Sequence, residues 1–267
     1  MMQKVRVLFI GDIIGRTGRR IVKETLPSLK AKYEINITIA NGENSAGGFG
    51  MTQEVASELF ETGIDVITTG NHIWDKKEII PFFDKNPSLL RPLNFPDNLP
   101  GKGFVRLDNL VNVPFFVVNL QGKILMPPIN CPFAAMDNFL KSIPDTKRIV
   151  IVDFHAEATS EKRALGFYLD GKISLLLGTH THIPTKDAEI LPLGTGYITD
   201  VGMSGAKDSV IGMKKENSIK KIITGIPMPL EVAKNDPVFS AIFAEIDSET
   251  GKCLQIEHIY TTTKNIE

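Results

Sequence analysis

Apolar positions along this chain gather into short β-branched runs, each closed by a glycine or a polar residue, with stretches of helical spacing between them. The first run, Val5 to Ile10, ends at Gly11-Asp12 and predicts a buried strand. Helical character covers Arg19 to Lys32, and a second apolar run from Ile35 to Ala40 stops at Asn41-Gly42-Glu43-Asn44. A glycine-rich loop follows, after which Thr52 is placed to cap a helix. Asp65 to Thr69 predicts a third strand ending in Gly70-Asn71-His72. A helix is expected near Asp75 to Phe83, then a proline-punctuated stretch from Arg91 to Pro100. Phe104 to Leu107 and Val113 to Leu120 read as a strand pair, and Phe133 to Lys141 as a helix.

The second half repeats the pattern once and then changes. Arg148 to Phe154 predicts a buried strand ending at His155, with a helix over Ser160 to Leu169. Ile173 to Leu177 predicts a strand that runs into Gly178-Thr-His-Thr-His182. Beyond it, Glu189 to Leu193, Val238 to Ile246 and Leu254 to Thr263 are strand-like, and Ser248-Glu-Thr-Gly251 reads as a hairpin turn. With no repeat and no linker, residues 1–267 read as one α/β domain with a mixed or two-sheet core.

Composition narrows the classes without choosing one. The 267 residues are 42% hydrophobic and 23% charged, ordinary globular values. A net charge of −1 gives no global field for nucleic acid or an anionic membrane, so any grip on phosphate must be local. The two cysteines, Cys131 and Cys253, form neither a disulfide framework nor a thiolate metal site. No apolar run approaches the roughly 20 residues that span a bilayer. The opening run is too short for a signal-peptide core, so the cytoplasm is the expected compartment.

The chemistry is carried by position. Asp12, Glu43-Asn44, Asn71-His72, His155 and His180/His182 each follow the end of a predicted strand, and ligands of α/β sheets bind outside the carboxyl ends of strands. Taken singly, each has an ordinary reading: a turn residue, an Asx turn at Asn44, a helix cap at Asn71-His72. Taken together, five segments would bring metal-capable groups to one rim. Four of the five histidines lie in these segments; His258, on a predicted C-terminal strand, reads as structural. Carboxylate, amide and imidazole donors without thiolate suit Mn²⁺, Fe or Zn²⁺. In extended backbone His180 and His182 would point to one face, with Cα atoms roughly 6.5–7 Å apart. That separation is workable for two ions about 3.5–4 Å apart.

Gly11-Asp12, Gly42-Glu43-Asn44, Gly70-Asn71-His72, His155 and Gly178-Thr-His180-Thr-His182 occur in the order seen in the calcineurin-like metallophosphoesterases, which the chain resembles. Asn41-Gly-Glu-Asn-Ser-Ala-Gly-Gly48, Asp153-Phe-His-Ala-Glu-Ala-Thr-Ser-Glu161 and Thr199-Asp-Val-Gly-Met203 resemble its YmdB-type bacterial branch over nearly the whole length. Two departures from the broad pattern stand out: Ile13-Ile14 follows Asp12 where Asp-x-His is usual, and Glu43 stands for the bridging Asp.

The resemblance implies an α/β/β/α two-sheet sandwich and two divalent or mixed-valence metal ions, Fe or Mn first and Zn as the alternative. It implies Asp12, Asn44 and His182 on one ion, Asn71, His155 and His180 on the other, and Glu43 bridging, with Asn44 replacing the missing histidine. It also implies hydrolysis of phosphodiesters, 2',3'- or 3',5'-cyclic nucleotides among them, by a metal-bridging hydroxide. His72, unligated, would protonate the leaving oxygen. Asp153 and Glu157 flank His155, and a solvent-facing position is expected for both, with support of an imidazole as the alternative.

The implied partner is a small phosphodiester or nucleotide. Neither a stable nucleic-acid complex nor a membrane is expected, and a homo-oligomer is compatible with the sequence. The rival readings are a phosphomonoesterase with the same metals and a nucleotide-binding regulatory module. Gly11 to Gly18 is not G-x-G-x-x-G, and no P-loop is present. The cluster Lys214, Lys215, Lys220 and Lys221, interrupted by Glu216 and Asn217, reads as a solvated surface.

Overall fold

The computed structural model describes residues 4–108, 110–144 and 147–262. Thr263, the last residue of a predicted strand, and the outer ends of the predicted 1–267 domain lie outside them. The first half runs β1 (Lys4–Ile10), β2 (Asp12–Ile13), α1 (Gly15–Tyr33), β3 (Ile37–Asn41), α2 (Gln53–Glu61), β4 (Val66–Thr68) and α3 (Ile80–Phe83). It continues through β5 (Phe104–Leu107), β6 (Phe115–Gln121), α4 (Pro132–Ser142), β7 (Ile149–His155), α5 (Thr159–Leu169) and β8 (Leu175–Thr179). The remainder is β9 (Glu189–Ile190), β10 (Gly196–Ile198), β11 (Met203–Ala206), α6 (Lys215–Thr224), β12 (Pro237–Asp247) and β13 (Cys253–Thr262).

The strands form two mixed sheets. One has the order β2-β11-β12-β1-β3-β4, with β13 paired antiparallel along nearly all of β12; the other has the order β5-β6-β7-β8-β10-β9. Val5, Val7 and Phe9 of β1 meet Phe115, Val117, Ile149 and Ile151 in a core between the sheets. The alternate residues Leu8 and Ile10 pack outward against Ile21, Val22 and Leu26 of α1. Phe116 and Val118 likewise face Met136 and Phe139 of α4 and Leu165 of α5. Each central strand is therefore covered on both faces, which is why it reads as a continuous apolar run and not as an alternation. The layers are helix, sheet, sheet, helix, as the resemblance implies.

Several elements depart from the sequence reading. The helix expected near Asp75 to Phe83 is two short 3₁₀ turns, Ile73–Asp75 and Lys77–Ile79, followed by one α turn. Lys76 between them is extended (φ −115°, ψ 96°), and Pro81 has no N–H to continue a ladder. Helix α1 begins one turn earlier than expected, at Gly15, and α6 forms where only a charged surface is expected. The Thr52 cap is present: its hydroxyl accepts from the Val55 amide at 3.2 Å.

The site depends on parallel pairing. In the first sheet Ile10 pairs with Ala40 and Asn41 with Thr68; in the second Gln121 pairs with His155 and His155 with Thr179. The carboxyl ends of β1, β3, β4, β7 and β8 thus finish at one edge of the sandwich. Among the described residues no helix is long and apolar enough to cross a membrane.

Candidate metal centre

Asp12 opens β2 directly after β1, and Glu43 and Asn44 follow β3. Asn71 and His72 follow β4, His155 is the last residue of β7, and His180 and His182 follow β8. Their side chains converge. His155 Nε2 lies 3.0 Å from Glu43 Oε1, 3.0 Å from His180 Nδ1 and 3.2 Å from Asn71 Oδ1. His182 Nε2 lies 3.3 Å from Asn44 Nδ2 and 3.7 Å from Asp12 Oδ1, and Asn44 Nδ2 donates to Glu43 Oε1 at 3.0 Å. Two neighbouring nests result, one around His155 and one around His182, with Glu43 reaching both.

Gly70 makes this approach possible. A Cβ at that position would fall 2.1 Å from His155 Cδ2 and 2.5 Å from Glu43 Oε2, so any side chain would push apart the two central donors.

Each imidazole has one nitrogen committed to an outer partner, which fixes where the other lone pair points. Thr179 Oγ1 donates to Asp153 Oδ1 at 2.7 Å and therefore accepts from His155 Nδ1 at 2.9 Å, leaving Nε2 inward. His180 Nε2 meets the Glu157 carboxylate at 3.1 Å, leaving Nδ1 inward. His182 Nδ1 donates to the Ile211 carbonyl at 2.9 Å, leaving Nε2 inward. This orientation of imidazoles by outer partners is the usual support of a metal site.

Two readings made from sequence need correction here. Asp153 is fully buried, not solvent-facing, and holds Thr68, Thr179 and Asn41 together beneath His155. Glu157, half-exposed, also supports an imidazole instead of facing only solvent. The second correction is to the extended backbone assumed for His180 and His182. Both have positive φ, 100° and 65°, a strained conformation of the kind that concentrates at functional sites.

Burial decides the electrostatics. Asp12 is fully buried, and desolvation raises its pKa against the pull of His182 and His155. Burial alone would also raise Glu43, but the adjacent His155 outweighs it and holds the carboxyl down at about 2. Burial would lower His155, yet Glu43 raises it to about 9, so in the absence of an ion Nε2 keeps a proton toward Glu43 that a bound cation would displace; His180, buried beside that charge, falls to about 3. Glu43 is thus held ionised beside positive charge, while the burial of Asp12 disfavours its charge unless a cation faces it.

The donor set fits divalent cations. Glu43, His155 and His180 present ligand atoms within 4.8 Å of one another. Asp12 Oδ1 and Asn44 Oδ1 are buried with no hydrogen-bond partner among the described residues, a costly condition that a cation at Asp12, and at Asn44 after its amide turns over, would relieve. In the Asn44 amide the nitrogen faces His182; a half-turn of that amide presents the oxygen to the same point.

His72 stands apart from the two nests. Its amide donates to Glu43 Oε2 at 3.0 Å, while Nδ1 of the ring meets Asp75 Oδ2 at 2.9 Å and leaves Nε2 uncommitted. The residue lines a cleft of about 560 Å³ together with Glu43, Asn44, His180 and His182. Asp75 and Ile211, each supporting a histidine, carry no signal of that role in the sequence. Lys221 lines this cleft, whereas Lys214 and Lys215 pair with Glu231 and Asp208 on the surface. His258 lies on β13 against Ser240 Oγ at 2.9 Å, away from the centre.

A family model described as YmdB-like protein matches residues 8–259. The chain is 47% identical over 255 residues to a Bacillus subtilis (strain 168) protein named 2',3'-cyclic-nucleotide 2'-phosphodiesterase, covering 96% of each. The crystal structure of a hypothetical protein from Thermus thermophilus superposes with a TM-score of 0.90 at 42% identity, over 97% of this chain and 99% of that one. A Mycoplasma pneumoniae structure described as a novel phosphatase superposes with a TM-score of 0.92 at 36% identity, over 98% and 95%. The chain belongs to the YmdB-like family of the calcineurin-like metallophosphoesterases.

Proposed function

We propose that this chain is a metal-dependent phosphodiesterase, folded as one domain, that hydrolyses cyclic nucleotides at a dinuclear centre. Asp12, Asn44 and His182 hold one ion, Asn71, His155 and His180 the other, and Glu43 serves both. The observation that carries this reading is the inward-facing nitrogen of three imidazoles beside the partnerless oxygens of Asp12 and Asn44. Fe or Mn suits the oxygen and nitrogen donors best, with Zn the alternative. Such ions, when bound, polarise a phosphoryl oxygen and lower the pKa of a coordinated water.

The chain's own residues do the rest. The seven ligands set a polar floor on which one phosphate can rest. His72, its ring held by Asp75, offers Nε2 to the departing ribose oxygen and delivers a proton there. The name of the Bacillus relative supports 2',3'-cyclic nucleotides as the substrate class.

The Mycoplasma pneumoniae relative, described as a phosphatase, favours a second reading: a phosphomonoesterase with the same residues. Specificity constants decide between them, measured on a 2',3'-cyclic nucleotide, bis(p-nitrophenyl) phosphate and p-nitrophenyl phosphate with the Mn²⁺-loaded protein. The diesters should be preferred; a strong preference for the monoester would replace this reading with the second.

A further inference from the structure

The cleft that holds Glu43, Asn44, His180 and His182 also has an apolar lining, Phe49, Val210, Ile211, Met213, Ile222 and Leu230, none of which offers a strong hydrogen-bonding group. Two of these residues sit on unusual backbone. Phe49 belongs to the turn Ala46-Gly47-Gly48-Phe49-Gly50, whose three glycines have φ of 73°, 95° and 72°. Nothing lies within 4 Å of where a Gly47 side chain would begin, so glycine answers there to conformation and not to crowding. The turn leaves the Phe49 ring half-buried and edge-on to His72, with centroids 5.2 Å apart.

Ile211 is β-branched at φ 47°, a conformation such residues rarely adopt. Its carbonyl holds His182 while the residue is 45% exposed in the cleft lining, so one strained residue serves both the histidine and the cleft. Ile222, on α6, lines the cleft and is 76% exposed, the one of the exposed isoleucines Ile219, Ile222, Ile223 and Ile226 that does so.

We infer that this lining is the subsite for the nucleobase, an inference that rests on the phosphodiesterase reading above. The cleft, about 560 Å³, falls within the roughly 300–1,000 Å³ typical of small-molecule sites. With the phosphate on the ligand floor, the flat base lies on Phe49 and is edged by Ile211 and Ile222. Phe49 and the aliphatic side chains hold it by stacking and apolar contact that any of the four bases can make, and Ser218 and Lys221 are the polar side chains of α6 in the same cleft. A base stacked on an aromatic side chain gains roughly ten- to hundredfold in binding.

The test compares adenosine 2',3'-cyclic phosphate with methyl riboside 2',3'-cyclic phosphate, which lacks the base, in the Mn²⁺-loaded protein. The ratio of their kcat/KM values cancels any change at the metal centre common to both. Wild type should favour the nucleotide by about ten- to hundredfold. Phe49→Ala, Ile222→Ser and Ile211→Gly (which keeps the carbonyl and suits the positive φ) should each bring that ratio toward one.

A parallel titration with 2-aminopurine riboside reads the subsite without catalysis: fluorescence quenched by wild type should be restored in Phe49→Ala. Equal turnover of both substrates without quenching overturns the base subsite and leaves the phosphodiesterase reading standing. Quenching that depends on Phe49, with neither diester cleaved, supports the subsite and overturns the phosphodiesterase reading.

Discussion

His155, His180 and His182 are each turned by a residue behind them, and the three devices differ: a threonine hydroxyl, a half-exposed carboxylate and a main-chain carbonyl. His72 is turned by Asp75 in the same manner, yet it lines the cleft and, among the described residues, makes no hydrogen bond or ring contact with the histidines of the two nests. On the proposed function, that difference would separate binding from catalysis. His72→Ala keeps the backbone amide that donates to Glu43, so metal content should stay at the wild-type level. Activity should fall about 10²–10⁴-fold, the usual contribution of a positioned acid. The loss should be greater for a ribose leaving group than for p-nitrophenolate, which departs without a proton. Shedding of one ion, or equal loss for both leaving groups, would make His72 a ligand or a ground-state contact.

The eight central residues were legible in the sequence because each follows a strand end. Their supports were less so. Asp153 looks like a surface carboxylate until β7 is known to lie in the middle of its sheet. Ile211 lies 29 residues beyond His182 in an unremarkable stretch, and only the fold brings its carbonyl into contact.

At the level of elements, the strands with long β-branched runs were readable because both their faces are buried. Strands β10 and β11 (Gly-Tyr-Ile and Met-Ser-Gly-Ala) are short and carry no such run, so their place in the sheets was not. Helix α6 is hidden in the sequence for another reason: Ser218 is its one buried residue, so its isoleucines signal no core face.

Helix α5 has a second task beyond covering its sheet. Its Lys162, fully buried, reaches Asp200 Oδ2 at 2.7 Å. That carboxylate also accepts from the amides of Thr181 and Gly202, so the pair ties α5 to the loop carrying His180 and His182. Lys162→Met leaves Asp200 a buried and uncompensated charge, and should cost about 3–5 kcal/mol. Urea unfolding checks this. A midpoint equal to wild type would show that the amides alone satisfy Asp200.

Across the whole molecule, two sheets from different parts of the chain meet over one apolar core, and their parallel strands end at a common edge. Neither sheet alone completes the centre: Asp12, Glu43, Asn44 and Asn71 come from one, His155, His180 and His182 from the other. Glu43 spans the junction, in contact with His155 across the sheets and with Asn44 and the His72 amide on its own side. Bound ions should therefore fasten the sheets together as well as supply the chemistry, and ions that bind only the folded state raise its stability.

The most direct measurement is elemental analysis of wild-type and Glu43→Ala protein after loading with Mn²⁺ and gel filtration, with far-UV circular dichroism to establish that both are folded. Wild type should carry two ions per chain, and Glu43→Ala should keep neither tightly, because each ion loses the same carboxylate. A folded Glu43→Ala protein that retains two tightly bound ions would contradict the bridging role on which the account rests.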